Sequence, residues 1–266
     1  TLLADLRLWQ GQLEDAHNFA ERARVRFRKL NDRFGTIQAL APLVRAQIAM
    51  GRAAGAQRTS EELLTMADTM SNGPFPLMAV AGAAMHRGTA QAALSHAQRA
   101  IAEVAAVGGR AFEPSVIAAL ANLQLGRLDD ALTAIESVPE FGRDHPFARA
   151  ANALIAAASG NPADAITHAD AVAGLHGATY LDEVFAYIAA AAAARQLGDD
   201  ERARLSAQAA VARAMAVGDG VAIGLATGVY QTVTGHEHPA HDTRTALGDG
   251  WTTVLTLLAA AEQPTA

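Results

Sequence analysis

The sequence predicts an all-α fold, a solenoid of about seven antiparallel helix pairs. Three observations predict it. A glycine followed five residues later by an alanine recurs along the chain, as in "WQGQLEDA", "LGRLDDA", "ASGNPADA" and "QLGDDERA". Strongly apolar helical stretches alternate with amphipathic ones across those sites. The 51% hydrophobic content is mostly alanine with leucine and valine, while aromatics are 5%, a balance that favours close-packed helices over sheet.

The recurring sites are Gly11, Gly51, Gly88, Gly126, Gly160, Gly198 and Gly235, with alanines at 16, 56, 93, 131, 165, 203 and 240. Successive glycines lie 40, 37, 38, 34, 38 and 37 residues apart, a period expected of stacked helical hairpins. Glycine closes the first helix of each pair in the left-handed conformation at low steric cost. Asp, Asn or Pro just beyond it favours starting the second helix. The small alanine lets the two helices cross closely.

Taken in order, "LLADLRLW" begins inside a helix at Thr1, which reads as a fragment cut from a longer protein. First helices are expected at 35–50, 113–125 and 182–197, buried between neighbours, and second helices at 13–30 and 200–217, with one face in water. Breakers separate the pairs at 31–35, 71–76, 107–109, 139–146 and 176–178. No longer linker divides them, so residues 1–266 form one array. At its end, residues 249–266 provide a capping helix and tail, with Trp251, Val254, Leu255, Leu258 and Ala259 at helical spacing. That helix is expected to fold back on the seventh repeat. The blunt start should leave Leu3, Leu6 and Leu8 partly exposed.

This pattern resembles the tetratricopeptide repeat over almost the whole chain. Most units are longer than usual for that family, as in the sensor region of maltose-type activators and related signal-transduction ATPases. The resemblance implies a right-handed superhelix and a scaffold or sensor in bacterial signalling or transcription control. It implies no catalytic residue and no cofactor.

Composition narrows the partners. The 21 basic and 27 acidic residues leave a formal charge of -6, so nothing draws the chain to nucleic acid or anionic lipid. Its longest apolar run, 184–194, falls short of the roughly 20 residues a membrane span needs. Cysteine is absent, which excludes disulfides and thiolate chemistry. We expect a cytoplasmic domain.

The candidate chemical motifs have plainer readings. "HEHPAH", with His236, His238 and His241, lacks a carboxylate in metal-site register and sits at the seventh elbow, so no metal is assigned. The arginines of "ERARVRFRKL" alternate and wrap around their helix. "GDGVAIG" at 218–224 follows a helix, where a dinucleotide fingerprint follows a strand. Asp144 and His145 lie together in a proline-containing loop.

In tetratricopeptide arrays the first helices line the concave face. Counting back from the elbow glycines nominates Arg45, Ile48, Met78, Met85, Leu120, Leu123, Leu154 and Arg195 as groove residues. This lining is largely apolar, and only Arg45 and Arg195 could hold a carboxylate. The groove suits a protein or peptide partner, another domain of the same chain, or closing on itself. The alternative is a small-molecule-sensing domain of a maltose-activator-like ATPase.

Overall fold

The computed structural model describes residues 1–69, 74–173, 175–239 and 247–261. Among them the chain forms fourteen α-helices and a single turn of 3-10 helix at Glu140–Gly142. The first helices are α1 (Leu2–Trp9), α3 (Arg33–Ala49), α5 (Phe75–Arg87), α7 (Glu113–Gln124), α9 (Pro146–Ala158), α11 (Tyr180–Gln196) and α13 (Gly220–Thr234). Their partners are α2 (Leu13–Lys29), α4 (Ala53–Thr69), α6 (Ala90–Ala106), α8 (Leu128–Glu136), α10 (Pro162–Ala173) and α12 (Asp200–Val217). A last helix, α14, spans Asp249–Ala260.

All seven elbow glycines have φ between +70° and +79°. At six of them the next residue donates its N–H to a carbonyl five residues back, as from Arg52 to Gln47 (2.7 Å) and from Arg127 to Asn122 (2.9 Å). That bond belongs to the Schellman motif, which satisfies carbonyls left over at a helix end. Beyond each elbow the expected alanine is fully buried at Ala16, Ala56, Ala93, Ala131, Ala165 and Ala203. Ala240 lies outside the described residues.

The elbow sequences start the second helices less uniformly than expected. Asp199 caps α12 by accepting from Arg202 N at 3.0 Å. Gln12, Thr89 and Arg127 begin their helices without any side-chain cap. Acidic residues in the first turns of α2 and α8 still favour the helix dipole there.

First helices form the inner layer, each packed on the next, and second helices form the outer layer, each touching the first helices before and after it. α11 is buried from Tyr180 through Ala194 except at Glu183 and Tyr187, whereas α2 buries only Leu13, Ala16 and Ala20. On the outer face, ion pairs such as Arg28–Glu62, Arg99–Asp68 and Arg202–Asp170 link successive second helices. These exposed pairs each contribute about 0–1 kcal/mol. The arginines of α2 turn outward in this way, Arg24 pairing with Glu21.

The array curls until its ends meet. α13 touches α3, and the Val217 side chain at the end of α12 fills the space against Gly11 in the first elbow. α14 touches α13, but it packs most extensively on α7 and reaches α9, crossing the inner layer. Its partner is therefore mainly the middle of the array, because Trp251, Val254 and Leu258 find their burial there. At the other end Leu3 and Leu6 are exposed, together with Leu2 and Trp9. Leu8 departs from expectation. It is 3% exposed, since the helical turn rotates it onto the core formed with Leu13 and Ala46.

Candidate functional site

The eight nominated groove residues separate by depth. Leu120, Leu123 and Leu154 are fully buried, and Ile48 is nearly so. The three leucines hold first helices to one another, while Ile48 edges a separate cavity between α3, α5 and α13. Met78 and Arg195 are half-buried on α5 and α11. Arg45 and Met85 differ from the rest, for both line a cavity of about 330 Å³ near the axis of the array.

Six elements build that cavity. α1 contributes Trp9, α3 Arg45, and α5 Gly82, Met85 and His86. The start of α7 adds Phe112, Glu113 and Ile117, the start of α9 adds His145 and Phe147, and the start of α11 adds Thr179, Leu181 and Asp182. Three helix N-termini thus converge on one space, each offering a partial positive charge.

Local sequence explains each position. Thr179 and Asp182 form a capping box: Asp182 N donates to Thr179 Oγ1 at 3.2 Å, and Thr179 N donates to Asp182 Oδ2 at 2.8 Å. Burial pushes the Asp182 carboxyl above its ordinary range, against the lowering effect of the Thr179 hydrogen bonds, His145 and Arg45. His145 precedes Pro146 and caps α9, its Nδ1 accepting from Phe147 N at 3.2 Å. Its ring lies 4.9 Å from that of Phe112. The Asp144–His145 pair in the loop therefore divides: Asp144 pairs with Arg149, while His145 faces the cavity.

Arg45 stands apart electrostatically. Among the described residues it makes no hydrogen bond and has no carboxylate within 4.0 Å. Glu113 is likewise without a hydrogen bond or ion pair. Asp5, on α1, feels both: burial raises its carboxyl, Arg45 opposes the rise and Glu113 adds to it.

Behind the cavity lies a buried polar cluster. His86 Nε2 is 2.8 Å from Asp219 Oδ2, and that oxygen accepts from Tyr180 Oη at 2.8 Å. Asp219 Oδ1 caps α13, accepting from Val221 N at 3.0 Å and Ala222 N at 3.2 Å. Burial alone would raise the Asp219 carboxyl, but His86 and these hydrogen bonds hold it below its ordinary range. Burial and the adjacent carboxylate push the Tyr180 hydroxyl well above its own. The glycine-rich stretch "GDGVAIG" thus supplies an inter-repeat turn whose aspartate ties α13 to α5 and α11.

α14 closes the same region. Trp251 is fully buried, its Nε1 donates to His86 O at 2.8 Å and its ring lies 5.2 Å from that of Phe185. Gly250 N donates to Gly88 O at 3.1 Å.

Counting back from the elbows did not find Glu113, Asp182 or His145, because they act from helix starts. The signals available were "GATYLDE" and "RDHPF", where a Thr and a His each precede a helix. At the seventh elbow His236 is exposed and His238 half-buried, and the His238 ring meets Tyr230 edge-on at 4.9 Å. His241 lies outside the described residues. Among the described residues no group of three metal-ligating side chains comes together, and no helix is long and apolar enough to cross a membrane.

No protein-family model and no curated protein matches the chain. A solved structure of a tetratricopeptide repeat protein from Parabacteroides merdae ATCC 43184 is similar to it with a TM-score of 0.51 at 14% identity, over 96% of this chain and 95% of that one. With seven left-handed glycine elbows and a two-layer helical array, this likeness makes the fold tetratricopeptide-like, an all-α solenoid.

Proposed function

We propose that the chain is a recognition domain with no catalytic step of its own, and that it takes a small ligand in the axial cavity. The observation that carries this reading is the unpaired Arg45 facing a space that apolar and aromatic side chains share with Glu113, Asp182, His86 and His145, in an array whose ends have met. A peptide lying along the inner layer would compete with α14 for α7 and α9. Of the cavities among the described residues, the one that Arg45 lines measures about 330 Å³, smaller than some others and at the small end of the roughly 300–1,000 Å³ of small-molecule sites. This puts the small-molecule-sensing reading ahead of the open peptide groove. In a regulatory protein of the maltose-activator-like kind, ligand bound among α3, α5, α7 and α11 would stabilise the curled array and so change what it offers to other domains.

A second reading keeps a protein partner or a regulatory segment of the parent chain. α14 itself favours it, because an apolar helix already lies across the inner layer. A partner helix of similar pattern would displace it.

Thermal-shift screening of metabolites, nucleotides and sugars tests the first reading, run on the wild type and on Gly82→Leu. Gly82 lines the cavity, and a Cβ there would meet only Ile117 Cδ1 at 3.7 Å, so a larger side chain can start from this position and take up cavity space. A ligand at a hundred times its Kd adds about 2.7 kcal/mol to stability. Hits that disappear in Gly82→Leu support the reading. An absence of hits, or hits indifferent to the substitution, overturns it.

A further inference from the structure

Resting on the axial-cavity reading, we infer that the cavity selects a small zwitterion, a free α-amino acid with an apolar side chain, its carboxylate on Arg45 and its ammonium on Glu113. Both side chains line the same space, carry opposite charges, and among the described residues have neither each other nor any third group as an ion-pair partner. A half-buried charge left unpaired is costly, and a ligand that brings the missing partners removes that cost for both. A planar guanidinium suits a carboxylate, which it can bind through two parallel hydrogen bonds.

The surrounding charges discriminate against simpler ions. An anion without an ammonium would meet Arg45 but also Glu113 and Asp182. A cation without a carboxylate would meet Glu113 but also Arg45. Asp182 is partly used by its own helix start, since Oδ2 accepts from Thr179 N, which leaves Glu113 as the acceptor for the ammonium. Both charges of an α-amino acid sit on substituents of a single carbon, so one small molecule can answer both residues. Trp9, Phe112, Phe147 and Met85 then face its side chain. A ring or branched chain would meet aromatic faces there, and an oligosaccharide or nucleotide would exceed the volume.

Isothermal titration of the full chain tests this with L-leucine, L-phenylalanine, 3-phenylpropionate and phenethylamine. The last two are the phenylalanine skeleton without its ammonium and without its carboxylate. We expect one of the amino acids to bind and to exceed both truncated probes by about tenfold or more, the scale of a lost charge-assisted hydrogen bond. Arg45→Met should remove that advantage over phenethylamine, Glu113→Gln should remove it over 3-phenylpropionate, and Arg45→Lys should restore part of the first. Unliganded melting temperatures of the variants separate lost binding from lost folding. If 3-phenylpropionate or phenethylamine binds as tightly as phenylalanine, the zwitterion is wrong while the cavity reading survives. If none of the four binds, the zwitterion is equally wrong, and the Gly82→Leu screen decides separately whether the cavity binds anything.

Discussion

Gly51 has nothing within 4 Å of where a Cβ would stand, yet its φ is +70°. Space is available there, and backbone conformation is the constraint. Gly51→Ala should therefore cost about 1–2 kcal/mol, read as a lower urea midpoint with unchanged slope. Gly82 is the opposite case. It lies within α5 with ordinary helical φ and room for a methyl group against Ile117 Cδ1 at 3.7 Å. Gly82→Ala should raise stability by about 0.5–1 kcal/mol, the helix-propensity gain, in the same urea titration. The elbow alanines obey a third rule, because Ala165 is fully buried where two helices cross. Ala165→Leu should overpack that crossing and lower stability by about 1–3 kcal/mol.

Among the elements, α5, α11 and α13 meet at Asp219. Its lowered carboxyl contributes stability that is present above the ordinary carboxylate range, about pH 4, and is lost as pH falls through its folded value. Asp182 acts in the opposite sense. Its raised carboxyl makes the buried charge a cost at neutral pH, relieved as pH falls through that raised value. Asp219→Asn keeps an acceptor for the start of α13 but removes the charge beside His86 and Tyr180. We expect a loss of about 3 kcal/mol at neutral pH that shrinks as the solution is acidified below about pH 4. Urea titrations of wild type and variant across that range check it. A difference that stays constant with pH would show that shape, and not charge, holds the cluster.

For the whole molecule the decisive feature is closure. α14 places Trp251 against Phe185 and bonds it to the carbonyl of His86, a residue that lines the cavity. Trp251→Ala should cost about 3–5 kcal/mol, because a fully buried indole and its hydrogen bond are lost together. Deleting residues 249–266 should cost at least as much and should expose apolar surface on α7, α9 and α13. Denaturant titration measures the first, and dye binding to exposed apolar surface detects the second. A truncated chain as stable as the full one, with no added dye binding, would show that α14 is dispensable.

The sequence by itself determined the helix pairs, their elbows and which layer each helix occupies. Those properties are local or periodic. A glycine able to take positive φ, an alanine five residues later and an apolar stripe turning every 3.6 residues can be read wherever they stand. Only the tertiary structure decided how far the array curls, where α14 lies, and that Trp9, Arg45, His86, Glu113, His145 and Asp182 share one cavity. These residues come from six first-helix elements, and their meeting depends on a small rotation accumulated from each repeat to the next. No residue encodes that rotation alone. It results from how every pair of neighbouring helices packs, so the curl that brings Val217 to Gly11 and Asp219 to His86 is a property of the sum.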